Sequence, residues 1–71
     1  MTAKEKEHLK NKLPKGWRLI LESETGYSAA YIGKVLSGER HSFIIEKAAV
    51  VLARKFQSEL KDIENLIKEI S

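Results

Sequence analysis

Apolar residues in this chain recur at the three- and four-residue steps of an α-helix and nowhere alternate as in a strand. The pattern predicts an all-α domain of four to five helices. The first segment, from Thr2 to about Lys12, opens on Thr2-Ala3-Lys4-Glu5. That is a capping-box sequence, in which a hydroxyl and a carboxylate satisfy each other's orphan backbone donors. Leu9 and Leu13 are its only apolar anchors, and Pro14 ends it, because proline disfavours helical geometry in the residue before it. A second helix is expected from Lys15 or Gly16 to Glu24 or Thr25, with Trp17, Leu19, Ile20 and Leu21 on its apolar face. Gly26 suits a left-handed helix cap, and Ser28 suits the N-cap of a third helix over about residues 29–36. Tyr27, between them, is expected to pack on the core with its hydroxyl at the rim. Ile32, Val35 and Leu36 give the third helix one buried stripe, and Gly38 closes it.

Ser42 is a natural N-cap for a further helix, and from Phe43 onward neither Pro nor Gly interrupts the chain. Phe43, Ile44, Ala48, Val51, Leu52 and Phe56 are the candidate core face of this segment. Phe56, Leu60, Ile63, Ile67 and Ile70 then step by four, three, four and three, the spacing of a coiled-coil seam. The spacing leaves two questions open: whether the segment bends near Gln57-Ser58, and whether the seam packs inside the chain or against a second copy. The expected organisation is one domain over residues 1–71. It contains a two-helix unit at about 17–37 and a C-terminal helical segment at about 42–70 that is a candidate for dimerisation.

Composition narrows the function classes. Seventy-one residues bury a small core, so support from a partner subunit or unusually good packing is expected. With no cysteine there is neither a disulfide nor a thiolate metal site, and His8 and His41 stand apart. No metal, cofactor or small-molecule ligand is expected. The longest apolar run, Ala48 to Ala53, is far too short to span a bilayer, and no signal-peptide pattern opens the chain. The expectation is a soluble cytoplasmic protein with no membrane partner. Glu22 and Glu24 lie on one helix without a nucleophile or a phosphate-binding loop, so catalysis is not expected. The net charge of +3 is unevenly spread: residues 1–18 carry +4, residues 19–41 carry −1, and the remainder balances. A basic amino-terminal end suits a phosphate backbone.

The informative stretch is Arg18 to Arg40: helix, glycine turn, short helix, glycine, polar loop ending in a base. A turn of this kind sets the angle between two short helices so that the second can enter a DNA major groove while the first crosses the backbone. The run Thr25-Gly26-Tyr27-Ser28-Ala29-Ala30-Tyr31-Ile32-Gly33-Lys34-Val35-Leu36-Ser37-Gly38-Glu39-Arg40, preceded by Leu13-Pro14-Lys15-Gly16-Trp17, resembles the lambda-repressor-like, Cro-type helix-turn-helix domains of short phage and bacterial regulators. The likeness covers Leu13 to Ala53, somewhat over half of the chain. It implies Ser28, Ala29, Ala30 and Lys34 as the base-facing surface, Tyr31, Ser37 and Arg40 as phosphate contacts, and Ile32 and Val35 as core. The basic residues Lys15 and Arg18 join the phosphate set through their charge.

One position departs from the family, which favours a small residue where this chain has Glu22. Either that side chain bends outward or the two helices sit farther apart. The resemblance implies sequence-specific binding of double-stranded DNA as a transcriptional regulator, a homodimeric repressor acting by occlusion. A different class is also open: a helical protein-interaction module (antitoxin, adaptor or anti-repressor) that keeps the fold without reading DNA. The Ala-Ala-Gly surface and the carboxylates of Glu22 and Glu39 motivate that alternative.

Overall fold

The computed structural model describes residues 1–70, and these form four helices with no strand among them. They are α1 (Ala3–Lys12), α2 (Trp17–Thr25), α3 (Ala29–Ser37) and α4 (Phe43–Ile70). Among the described residues no helix is long and apolar enough to cross a membrane. The expected caps are present. The Thr2 N–H donates to Glu5 Oε1 at 2.8 Å and the Glu5 N–H to Thr2 Oγ1 at 3.1 Å. Leu13 is extended before Pro14, while Gly26 (φ 81) and Gly38 (φ 96) end α2 and α3 in the left-handed region that only glycine enters cheaply. Ser28 Oγ accepts from the Tyr31 N–H, and Ser42 Oγ accepts from the Ile45 N–H at the start of α4.

The core joins Leu13, Leu21, Ile32, Val35 and Leu36 to Ile45, Ala49, Leu52 and Ala53 of α4, with Leu9, Trp17, Ile20, Tyr31 and Ala48 packed at its edge. Three expectations about facing are corrected. Leu19 is 67% exposed, because α2 buries Leu21 and turns Trp17 and Ile20 toward the core, leaving position 19 on the outer side. On α4, Phe43, Ile44 and Val51 are exposed, and the buried stripe is Ile45, Ala49, Leu52 and Ala53. Helix packing distance depends on side-chain size at the contact, and Ala49 and Ala53 let neighbouring helices come close. Bulk alone picks out the wrong face. Tyr27, expected on the core, is more than a third exposed, with its ring 5.5 Å from that of Tyr31.

A buried lysine fastens the ends of these helices together. Lys6 is 1% exposed. Its Nζ donates to Val35 O at 2.7 Å in the last turn of α3 and to Arg40 O at 3.1 Å in the loop beyond, and lies 3.4 Å from Glu46 Oε1 on α4. The Glu46 contact is an ion pair without hydrogen-bond alignment, so Oε1 has no hydrogen-bond partner. Lys6 therefore does not belong to the basic surface of the amino-terminal end. It shares a stripe with Leu9 and Leu13 at i, i+3 and i+7 and sets a positive charge at the negative pole of α3. At the other end of α1, the Gln57 Nε2 amide donates to Lys12 O at 3.0 Å. Together, Lys6 near Glu46 and Lys12 near Gln57 place α1 alongside α4, both running in the same direction.

The C-terminal segment is a single helix of 28 residues, continuous through Gln57-Ser58. It sets the 45 Å long axis of the molecule. Ile45, Ala49, Leu52, Phe56, Leu60, Ile63, Ile67 and Ile70 succeed one another by three or four residues. The seam of the distal half is thus the same face that packs under the body in the proximal half. Every residue from Ser58 to Ile70 is exposed.

Two measurements test these contacts. Replacing Lys6 with Met leaves two carbonyls and a carboxylate without their shared cation, and costs about 3 kcal/mol on the scale of a broken buried pair. Urea denaturation reads this against Lys4→Met on the exposed side of α1, and similar losses in the two variants would remove Lys6 from its fastening role. The Glu5 carboxyl is held below its ordinary 4.5, first by the Thr2 backbone N–H and then by the Thr2 hydroxyl. A depressed carboxyl stabilises above its unfolded pKa, and that contribution is lost as pH falls through the folded value. Protection of the amides at the start of α1, taken against the intrinsic exchange rate at each pH, should therefore fall selectively in acid, and a Thr2→Ala variant should show the low protection already at neutral pH.

Candidate nucleic-acid interface

The outward face of α3 is built from small residues. Its core side carries Ile32, Val35 and Leu36, which leaves Ala29, Ala30, Gly33 and Lys34 on and beside the opposite face. Arg18, in the first turn of α2, reaches across to this face. Its guanidinium lies 5.1 Å from the Trp17 ring centroid, a cation–π distance, and a methyl group placed on Gly33 would meet Arg18 Nε at 3.4 Å. Arg18, Ala29, Ala30, Gly33, Lys34, Ser37 and Glu39 line one shallow depression. Of the expected contact residues, Ala29, Ala30, Lys34 and Ser37 of α3 are thus brought together with Arg18 of α2.

The remaining candidates flank that depression. Ser28 is exposed at the amino end of α3, with its hydroxyl engaged as the cap. Lys15 is exposed in the link before α2. Arg40 is exposed beyond α3, and its guanidinium donates to Glu39 O at 3.0 Å while its own carbonyl is held by Lys6. Tyr31 is half-buried and packs against the core edge, on the side of Tyr27. Ser37 Oγ donates to Lys34 O at 3.0 Å, with Glu39 Oε2 at 3.4 Å as its second neighbour.

Two carboxylates in this region carry roles that residue type alone does not assign. Glu22 neither splays the helices nor simply points away. Its Oε2 accepts the Ala29 N–H at 2.8 Å, so a side chain of α2 caps α3. An N-terminal helix end attracts anions through its free N–H groups. Here Glu22 takes one of those groups and Ser28 another, and a phosphate approaching this end would meet the Glu22 charge. Glu39 borders the depression at its other end. The signal for Glu22 is its place seven residues before Ala29 across a glycine turn, a spacing that periodicity within one helix does not register.

Compared with protein-family models, with curated proteins and with solved structures, the chain finds no match in any of the three.

The depression yields one structural outcome. Glycine inside a helix costs roughly 0.5–1 kcal/mol relative to alanine. The added methyl at Gly33 would touch only the flexible end of Arg18, at ordinary contact distance. Gly33→Ala should therefore raise thermal stability by a few degrees, and a fall in the melting temperature would mean that the Arg18 contact is stiffer than its surroundings indicate.

Proposed function

We propose that this chain is a sequence-specific double-stranded DNA-binding regulator of transcription of the lambda-repressor-like, Cro-type helix-turn-helix kind, acting as a homodimeric repressor by occlusion. One observation carries the reading. The exposed face of α3 presents Ala29, Ala30, Gly33 and Lys34 in a single depression, and the flexible Arg18 guanidinium reaches over it at Gly33. The small side chains of α3 itself let the helix approach base edges closely. In the major groove, Lys34 donates to guanine O6 or N7, and the methyl groups of Ala29 and Ala30 meet thymine methyls. Ser28 sits at the leading end. Arg18, Lys15, Tyr31, Ser37 and Arg40 would contact phosphates, which fix position and supply affinity without reading sequence. So few base-reading groups put much of the selectivity on DNA shape and deformability.

A second reading has its own observation. Arg18 and Lys34 on this surface are matched by Glu22 at one end and Glu39 at the other, so the local charge is balanced. A balanced, small-residue helix face suits a protein partner (the antitoxin, adaptor or anti-repressor class) as well as it suits a duplex.

Selection of bound duplexes from a random pool, with titration against salt, separates the two. Under the first reading a preferred sequence emerges. Lys34→Ala then costs about 1–3 kcal/mol on that site and much less on random DNA. Arg40→Ala weakens both equally and flattens the salt dependence by about one unit of slope for each phosphate no longer neutralised. Gly33→Ala, the stabilising change, weakens binding because its methyl occupies the approach. Recovery of no preferred sequence, together with capture of a protein partner that Lys34→Ala abolishes, would replace the first reading with the second.

A further inference from the structure

We infer that the trough between α1 and the outer edge of α4 is a docking site for an acidic amphipathic helix of another protein. Two depressions meet there, and Val50 and Arg54 line both, as does Met1. On α4 the wall is Phe43, Lys47, Val50, Arg54 and Gln57, which step by four, three, four and three. On α1 it is Glu5, His8 and Lys12, which step by three and four. The two helices run alongside each other in the same direction, so the walls stay side by side and the trough is continuous. From Phe43 to Gln57 it is about 21 Å long at 1.5 Å per residue, or about four helical turns.

The floor of the trough is apolar. Leu9 and Val50 are half-buried and Ala53 is buried, while Phe43 stands 77% exposed at one end. A contiguous apolar surface of this kind marks an interaction site. A small-molecule pocket encloses most of its occupant. This trough instead lies open along its length, with a helix on either side. A third helix laid between two others fills such a groove with apolar residues at i, i+3 or i+4, and i+7.

Charge selects the partner. Lys12, Lys47 and Arg54 are exposed along the trough, and none of them has an ion pair among the described residues. The two carboxylates at its border are already engaged. Glu46 faces Lys6 at 3.4 Å, and Glu5 accepts the Thr2 N–H at the positive pole of α1. The trough therefore carries unmatched positive charge around an apolar floor. A two-fold pairing of this face with itself would set one cationic trough against another. A nucleic-acid backbone would meet the cations but would leave Leu9, Val50 and Phe43 uncovered. A helix with carboxylates on either side of an apolar stripe satisfies both features. The trough shares no residue with the depression on α3, so the docking stands whether or not α3 reads DNA.

Panning a displayed library of helical peptides of about 14 residues, the length of the trough, against the full chain tests this. Selected sequences should carry apolar residues at helical spacing with Asp or Glu flanking them. The corresponding synthetic peptides should bind less tightly as salt rises. Arg54→Glu should weaken them about tenfold, because it turns an attraction at the rim into a repulsion. Phe43→Ser should also weaken them, by removing the apolar end of the trough. Lys55→Glu, the same charge change on α4 outside the trough, should leave affinity unchanged. All three positions are exposed, so the near-ultraviolet signal of Trp17 should stay as in wild type. No enrichment, enrichment of basic or uncharged sequences, or equal losses with Arg54→Glu and Lys55→Glu would each overturn the docking. So would displacement of the peptides by a random duplex pool, which would give the trough to nucleic acid, or tighter binding of dodecanoate than of any peptide, which would give it to a small anionic amphiphile. Lys34→Ala should bind the peptides as wild type does, so failure of the DNA reading and failure of the docking remain distinguishable.

Discussion

The arrangement of α1, α3 and α4 depends on one buried ammonium group. Lys6 donates to a carbonyl in the last turn of α3 and to another in the loop beyond it, and faces a carboxylate on α4. Val35 O also accepts the Gly38 N–H at 3.2 Å, and Arg40 O lies beyond the helix, so the ammonium is a second donor to the one carbonyl and a partner for the other. Burying a charge is expensive unless it is paired and hydrogen-bonded, so the arrangement tolerates little displacement of any of the three elements. The same contact fixes where the chain turns from α3 into α4, and thus the angle at which the outward face of α3 is displayed. A residue on the least apolar helix of the molecule, remote from that face, controls its attitude.

The caps at the opposite end of α3 obey a similar logic. Glu22 from α2 and Ser28 at the N-cap each take one free N–H of the helix. α3 is held at its positive pole by a carboxylate and at its negative pole by an ammonium, each contributed by another helix. A helix of nine residues is too short to be stable by itself. Packing of Ile32, Val35 and Leu36 supplies most of what it needs, and the two charged ends supply direction. The arrangement also has a cost for an anion-binding role, since the positive pole already carries its counter-charge.

Much of the fold is legible in the sequence because its signals are local. Caps, glycine terminators and the proline stop lie within four or five residues of the backbone groups they serve, and they place the ends of α1, α2 and α3 closely. What stays hidden is whatever depends on contact between segments. The facing of α4 is misread because its close-packed positions are alanines, which carry little hydrophobic signal, whereas Phe43, Ile44 and Val51 carry much and remain exposed. Lys6 counts as surface charge by residue type, although its spacing to Leu9 and Leu13 marks it as lying on the buried stripe. Glu22 stands out by its departure from a small residue, yet its role as a cap for the next helix emerges only when the turn is folded. Among the contact residues, Ala29, Ala30, Lys34 and Ser37 belong together by periodicity, and α3 gathers them simply for that reason. That Arg18 reaches over Gly33 to join them is a fact of tertiary packing.

The length of α4 connects these observations. Within the body, its apolar stripe packs under α1–α3, and beyond the body the stripe continues without a change of phase. A helix that only needed to complete the core would have become polar after Phe56, where the α1–α2 link crosses it. Instead, large aliphatic residues continue for two more heptads, along with flanking charges at polar positions. Exposed stripes of this kind favour association, and keeping one is costly for solubility unless it is covered. The body and the distal half of α4 are held as one piece by the packing of α1 against α4 that Lys6 and Gln57 fasten at its two ends. Loosening that packing would act on the display of α3.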